Sequence, residues 1–143
     1  MYICLRIIIL LICIKLAIED YRSHEISTKG LIICSIIQFV SGFFITEGNY
    51  FLLKAIIALS LMLLLFSKNI KNKIGEADII FLSAEIFSLN LKNFAIFWFT
   101  SLFLAAFYGI FNYIIKRERE IPMFPFFVTG DLFALILGGL NVG

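Results

Sequence analysis

The chain has 143 residues and a formal net charge of +2, and 62% of its residues are hydrophobic while 15% are charged. Its mean hydropathy is +1.03, whereas about half of the residues of a soluble domain are apolar. This composition excludes a water-soluble globular protein and predicts an all-α, polytopic integral membrane helical bundle, folded as a single domain over residues 1–143 with no soluble or zinc-binding domain.

Six apolar segments are candidates for membrane-spanning helices, which need about 20 apolar residues and in some cases about 17. The fourth segment is short and contains Glu85. The first leads into Glu19–Arg22, which is a poor cleavage site for a signal peptidase, so we expect it to remain as the first span. The segments are Tyr2–Ile18, Gly30–Ile45, Phe51–Phe66, Asp78–Leu91, Phe94–Ile115 and Phe124–Leu140.

The connections between these segments alternate in charge. The first, third and fifth are basic, whereas the second, Thr46–Tyr50, contains no Lys or Arg. Short loops rich in Lys and Arg remain in the cytoplasm. This bias predicts a multi-pass protein of the cytoplasmic membrane with its N-terminus outside. The basic residues are Arg22 and Lys29 in the first connection, Lys68, Lys71 and Lys73 in the third, and Lys116, Arg117 and Arg119 in the fifth.

The three cysteines, Cys4, Cys13 and Cys34, lie within apolar runs and form no Cys-x-x-Cys pair. We interpret them as small buried hydrophobic residues. The single histidine, His24, is interpreted as a solvated loop residue. We therefore expect neither a metal nor another cofactor, and no nucleic-acid partner.

Two aspartates lie at the predicted cytoplasmic ends of different helices. Asp20 follows the first segment and Asp78 stands at the beginning of the fourth, so we expect both at one depth. Two neighbouring carboxylates cannot both ionise easily. The ionised one can take a proton from water while its partner donates one to a carbonyl oxygen. From position alone, the simpler interpretation is that each aspartate is an interfacial acid paired with a nearby Lys or Arg.

Two further acids, Glu85 and Asp131, fall deeper within the apolar segments. Glu85 follows Asp78 by seven residues, which places it on the same helix face about 10 Å further along. Ionisable residues within spans usually face the bundle interior or water. Each acid can adjust the aspartate pair, line a wet cavity or make a structural hydrogen bond, and the structural role is the simpler expectation.

Three motifs occur in order around these positions. Asp20 is separated by five residues from the triplet Ile26-Ser27-Thr28, the run 75–78 reads Gly-Glu-Ala-Asp after a basic loop, and the run 121–126 reads Ile-Pro-Met-Phe-Pro-Phe before the last segment. Together they resemble the type IV prepilin peptidases, membrane aspartyl proteases with a Gly-x-Gly-Asp motif. That family has Asp followed by Ile-Pro-Asn, then Gly-x-Gly-Asp, then Ile-Pro-x-x-Pro-Phe.

The chain departs from the family pattern at four positions. Ser27 replaces a proline and Ala77 replaces the second glycine of Gly-x-Gly-Asp, although alanine keeps that position small. Ile80 stands where the family often has lysine, and Ile86 where it has glycine. Longer members also carry an N-terminal region with two Cys-x-x-Cys pairs and methylate the new N-terminus. The resemblance here covers the peptidase core only and does not imply N-methyltransferase activity.

The resemblance implies an aspartic endopeptidase that removes the short basic leader from a prepilin or pseudopilin at the cytoplasmic face, in type IV pilus assembly or protein secretion. Asp20 and Asp78 would activate the water, without a cofactor. The substrate's apolar N-terminal helix would lie in lipid beside the bundle. The supporting motif residues are Ile26, Gly75, Ala77, Pro122 and Pro125, and the candidate contacts for the basic leader are Glu19, Glu25 and Glu76.

Other functions remain open from the sequence. A presenilin-like or other intramembrane aspartyl protease generally has a Tyr-Asp first motif, whereas Asp20 here follows Glu19 and precedes Tyr21. A transporter or channel subunit would use Glu85 and Asp131 as intramembrane ion or proton groups and would not need Asp20. An accessory membrane scaffold would tolerate the loss of any acid.

Overall fold

The computed structural model describes residues 2–44, 50–63, 75–115 and 121–138, and every regular element in these ranges is a helix. Each of the six helices overlaps one of the six predicted segments, so the prediction of an all-α fold is confirmed. The predicted segment ends Ile45, Phe66 and Leu140, and the basic residues at 68–73 and 116–119, lie outside the described residues. The helices are α1 Tyr2–Ser23, α2 Thr28–Gly42, α3 Phe51–Leu63, α4 Glu76–Ser88, α5 Leu91–Ile115 and α6 Phe124–Gly138.

Helix length separates α5 from the other helices. Among the described residues, α5, with 25 residues, is the one helix that is both long and apolar enough to cross a membrane. The apolar helices α2, α3 and α6 are shorter, and α4 has 13 residues. α1 has 22 residues but contains Arg6, Lys15, Glu19 and Asp20. The helical architecture is therefore established, whereas six membrane crossings stay a prediction.

The C-terminal end of α1 extends beyond the predicted segment, from Ile18 to Ser23. The helix stops where His24 adopts a left-handed conformation with φ 52°, and its N–H group donates to the Asp20 carbonyl at 2.9 Å. This bond and this conformation form the αL motif that commonly ends helices. Histidine tolerates the left-handed region better than most residues, so His24 has a local structural role as well as exposure to solvent.

The helix starts follow from capping residues. Ser27 precedes α2 and accepts a hydrogen bond from the Gly30 N–H group at 3.4 Å. Gly75 precedes α4, so Asp78 lies at the third helical position. Acidic residues in a first turn interact favourably with the helix dipole. Ser27, which stands where the prepilin peptidases have proline, therefore supplies α2 with a capping side chain.

The helices pack in the order α3, α4, α2, α1, α6, α5, each against the next, and a smaller contact between α4 and α5 closes the arrangement. Four phenylalanines occupy the centre. The rings of Phe81 on α4 and Phe124 on α6 have centroids 5.1 Å apart, and Phe97 and Phe127 complete the cluster. This cluster holds the first turns of α4 and α6 side by side.

Charged residues are buried in this bundle while large apolar ones are exposed. Arg6 and Asp131 are 1% and 2% exposed, whereas Phe99 and Phe103 on α5 are each 72% exposed. Similar exposed apolar side chains occur on all of the other helices except α4. In water such a surface would strongly favour association.

The prediction that the cysteines are buried is confirmed for two of the three. Cys13 and Cys34 are buried with their sulfur atoms 3.7 Å apart, joining α1 to α2. Cys4 is exposed, so the expectation that it is buried is wrong. The reason is helical phase: Tyr2, Arg6 and Ile9 form the buried face of α1, and Cys4 lies on the opposite side.

Candidate functional site

The predicted site residues gather at one end of the bundle, where α1 ends and α6 begins. Asp20 is buried, and its Oδ2 accepts a hydrogen bond from the Phe124 N–H group at 3.0 Å. Phe124 is the first residue of α6, and the first N–H groups of a helix have no partner within it. The carboxylate of Asp20 therefore occupies the anion-binding end of α6.

The proline motif determines where α6 begins. Pro122 is buried just before the helix, and Pro125 lies in its first turn, where the missing N–H group costs no helical bond. Pro125 also lines an apolar groove of about 450 Å³ between α5 and α6. The sequence singled out both prolines but gave no indication that the N–H group between them binds Asp20.

Asp78 is partly buried in the first turn of α4. Its carboxylate accepts a hydrogen bond from the Gly75 N–H group, which is the acidic half of a capping box. A Cβ atom on Gly75 would lie 2.9 Å from Asp78 Oδ2. The glycine therefore leaves room for the carboxylate, which is a physical reason for a small residue at this motif position.

The pKa values of the two aspartates differ in their causes. Burial and then the charge of Asp20 raise the pKa of Asp78 to about 7, against the weaker opposing effect of the Gly75 N–H group. Burial also raises the pKa of Asp20, but the Phe124 N–H group and the charge of His24 lower it. Asp20 thus loses its proton first, and its negative charge then keeps the proton on Asp78.

This arrangement provides both partners of an acid–base pair near neutral pH. The Phe124 N–H group favours the ionised form of Asp20, whereas the pKa of about 7 leaves about half of Asp78 protonated at neutral pH, within electrostatic range of Asp20. Within the described ranges, neither aspartate takes part in an ion pair with Lys or Arg. The alternative of two separately paired interfacial acids therefore has no support among those residues.

The remaining predicted site residues surround the pair at different depths. Ile26 and Ala77 are partly buried against the apolar core. Glu19 Oε2 accepts a hydrogen bond from the Ser27 N–H group at 3.1 Å, so this side chain holds the connection between α1 and α2. Glu25 and Glu76 are exposed at the same end of the bundle.

Glu85 and Asp131 belong to a separate buried cluster that the sequence did not predict as such. Arg6 pairs with both, at 2.8 Å between Nη1 and Glu85 Oε1 and through Nη2 with Asp131 Oδ1. Gln38 and Ser88 donate to Glu85 Oε2 at 2.5 and 2.7 Å. We call these five residues the Arg6 network. The available signal was the occurrence of Arg6 and Gln38 within apolar runs, since polar residues there usually face the interior.

Within the described ranges, no three His, Cys, Asp or Glu side chains come together as metal ligands would. Comparison of the chain with protein-family models, curated proteins and solved structures finds no match.

Proposed function

We propose that this chain is a polytopic membrane aspartic endopeptidase that removes the basic leader from prepilin-like proteins at the cytoplasmic membrane face. One arrangement carries the proposal: Asp20 binds the start of α6, and Asp78 lies in the first turn of α4, close enough for the charge of Asp20 to raise its pKa. The order of the three motifs supplies the substrate class.

The distribution of polar residues supports a membrane location. Lipid is an apolar solvent, so exposed residues such as Phe103 and Leu52, at 72% and 75% exposed, suit it. Charged side chains are tolerated there mainly in the bundle interior, where Arg6 and Glu85 lie. Helices shorter than the hydrocarbon thickness are accommodated by local thinning of the bilayer.

The proposed mechanism assigns one proton transfer to each aspartate. Asp20 takes a proton from water as the water oxygen bonds to the scissile carbonyl carbon, and Asp78 gives its proton to the carbonyl oxygen. Collapse of the tetrahedral intermediate breaks the C–N bond, the proton on Asp20 passes to the leaving amine, and Asp78 recovers its proton from the hydroxyl group. The Phe124 N–H group stabilises the ionised form of Asp20 before each cycle.

The location of the pair fits a substrate whose apolar helix lies in lipid. Its leader junction would reach the bundle end where α1, α4 and α6 meet. Glu25 and Glu76 are exposed at that end and are the proposed contacts for basic leader residues. These attractions are largely screened beyond about 10 Å at ordinary ionic strength. Glu19, the third proposed contact, also accepts the Ser27 N–H group.

The decisive experiment compares Asp20→Asn and Asp78→Asn with unmodified protein in a prepilin cleavage assay in membranes. Asparagine keeps the size of the side chain but cannot exchange the proton, so we expect leader removal to fall by at least about 100-fold in each variant. Ser83→Ala is the control, because among the described residues the Ser83 hydroxyl donates within its own helix, to the Ile79 carbonyl. Full cleavage by either asparagine variant, when it is folded in the membrane, would refute the assignment.

The transporter alternative is less well supported by the contacts of its two acids. Glu85 and Asp131 both contact the guanidinium of Arg6, which competes with any cation for their oxygen atoms. Loss of transport in Glu85→Gln or Asp131→Asn, together with unaffected function in Asp20→Asn, would favour that alternative. Cleavage within a substrate's membrane span, instead of at its leader, would indicate another intramembrane aspartyl protease.

A further inference from the structure

The Arg6 network connects helices that are distant in the chain. Arg6 lies on α1, Gln38 on α2, Glu85 and Ser88 on α4, and Asp131 on α6. The hydroxyl of Tyr2 extends the cluster by donating to the Ser88 carbonyl at 3.0 Å. The five residues of the Arg6 network are each at most 2% exposed. These contacts therefore join four helices in the interior of the bundle.

On α4 and α6 the network lies at the same offset from the proposed catalytic site, whereas on α1 Arg6 precedes Asp20 by fourteen residues. On α4, Glu85 follows Asp78 by seven residues. On α6, Asp131 follows Phe124, the donor to Asp20, by the same seven residues. Seven residues are two helical turns, or about 10 Å. The guanidinium from α1 is thus bound to α4 and α6 at one level below the two aspartates.

The composition of the network is not what stability alone would favour. One guanidinium faces two carboxyl groups, and a buried ion pair is often no more stable than apolar side chains of the same volume. The network instead fixes the relative orientation of the helices, because the planar guanidinium forms hydrogen bonds at fixed angles. Paired on two sides, Arg6 resists both sliding and rotation of α1 against α4 and α6.

We propose that Arg6 is a positioning residue, which through Glu85 and Asp131 holds α1, α4 and α6 in the register that brings Asp20, Asp78 and the Phe124 N–H group together. The effect on catalysis rests on the proposed peptidase function, whereas the effect on helix register does not. Arg6 does not touch the reacting groups. Its action is to keep their separation fixed while substrate binds and leaves.

The first experiment separates positioning from folding. Arg6→Met leaves two buried carboxyl groups without a cation and is expected to fold poorly. The triple variant Arg6→Met, Glu85→Gln, Asp131→Asn removes all three charges and is expected to recover folding. Its kcat should still fall by about 10- to 100-fold at an unchanged KM, because small displacements of catalytic groups are costly. Arg6→Lys should keep more activity than the triple variant, and Ser83→Ala should match unmodified protein. A triple variant with normal kcat would overturn the proposal.

The second experiment needs no enzymatic activity. Spin labels at Tyr21→Cys and Glu76→Cys, in protein whose three native cysteines are alanine, report the distance between the end of α1 and the start of α4. We expect a narrow distance distribution with the network intact or with Ser83→Ala, and a broader or shifted one in the triple variant. If unmodified protein cleaves no prepilin, the proposed function fails and this distance alone decides the inference. An identical distribution in the triple variant would overturn it.

Discussion

Three aspartates of this chain, two buried and one partly buried, have different properties because their neighbours differ. Asp20 faces a helix N-terminus, Asp78 faces the N–H group of its own helix cap, and Asp131 faces a guanidinium. Among the described residues, the Gly75 N–H group favours the ionised form of Asp78 less than burial and the charge of Asp20 disfavour it. The side chains are chemically identical, so their assigned roles follow from their contacts, which are distant in the chain for Asp20 and Asp131 and local for Asp78.

The raised pKa of Asp78 predicts a pH-dependent effect of Asp78→Asn on stability. The pKa of Asp78 is about 7 in the folded protein, whereas the ordinary value for aspartate is 3.8. The unfolded chain therefore loses this proton at lower pH than the folded protein does, and stability falls as pH rises through this interval. We expect Asp78→Asn to melt near the unmodified protein at pH 4 and several degrees above it at pH 8. Asparagine can still accept the Gly75 N–H group.

Melting curves in detergent at the two pH values measure this effect. Glu25→Gln is the control, since Glu25 is exposed in the α1–α2 connection, and it should change the melting temperature equally at both pH values. A difference between Asp78→Asn and unmodified protein that stays constant from pH 4 to pH 8 would contradict the proposed environment of Asp78.

The residue types of the site were predictable, but their partners were not. Asp20 and Asp78 stood out because charges at the ends of apolar segments are conspicuous and because the motifs resemble a protease family. The backbone donor Phe124 has no such signal, since any residue at that position would present the same N–H group. Arg6 was visible only as a charge within the first segment, because its partners lie 79 and 125 positions away on other helices.

At the scale of helices, small residues determine how closely α5 and α6 approach. A Cβ atom on Gly130 would contact Ser101 Oγ and would lie 2.8 Å from the Phe97 carbonyl oxygen. On α5, Ser101 and Ala105 are buried at a spacing of four residues, and Ala134 is buried four residues after Gly130. Small residues at this spacing allow close helix packing in membranes.

We therefore expect Gly130→Ala to destabilise the bundle. Overpacking costs about 1–3 kcal/mol, whereas alanine gains about 1 kcal/mol of helix propensity over glycine. The carbonyl of Phe97 belongs to a helix backbone and cannot move aside, so the cost should dominate. Chemical unfolding in detergent measures the change in the free energy of unfolding. Adding Ser101→Gly should recover part of the loss, because it removes the hydroxyl in the way.

The matched control is Gly30→Ala on α2. A Cβ atom there would come closest to the tip of the flexible Leu16 side chain, at 2.9 Å, and would make ordinary contacts with Ser27. This substitution should leave stability unchanged or raise it. Equal effects of alanine at both glycines would show that the approach of α5 to α6 is not limited by Gly130.

The helices themselves were largely predictable, and their bounds less so. Long apolar runs identified all six, because each run supplies the side chains that cover the helix. The bounds depend on caps: α1 continues through Glu19–Arg22 until His24 takes a left-handed conformation. Which helices pack against each other was not predictable, since this depends on how helix surfaces fit together, as α6 at Gly130 fits against α5 at Ser101.

At the scale of the whole molecule, the helix ends divide into two groups. The end of α1 and the starts of α2, α4 and α6 surround the two aspartates. The start of α3 lies at the other end with the end of α4, where Lys54 Nζ donates to the Leu89 carbonyl at 2.8 Å. A bundle that crosses the membrane in this orientation would expose the two groups on opposite faces.

The bias of Lys and Arg toward the first, third and fifth connections predicts that the aspartates face the cytoplasm. Labelling with a membrane-impermeant maleimide tests this in protein whose native cysteines are replaced by alanine. Arg22→Cys, at the exposed end of α1, should react only in inside-out vesicles. Tyr50→Cys, exposed beside the start of α3, should react only in right-side-out vesicles. Reaction of both from one face would contradict a bundle that spans the membrane. The reverse pattern would place the aspartates outside, where a leader that stays in the cytoplasm could not reach them.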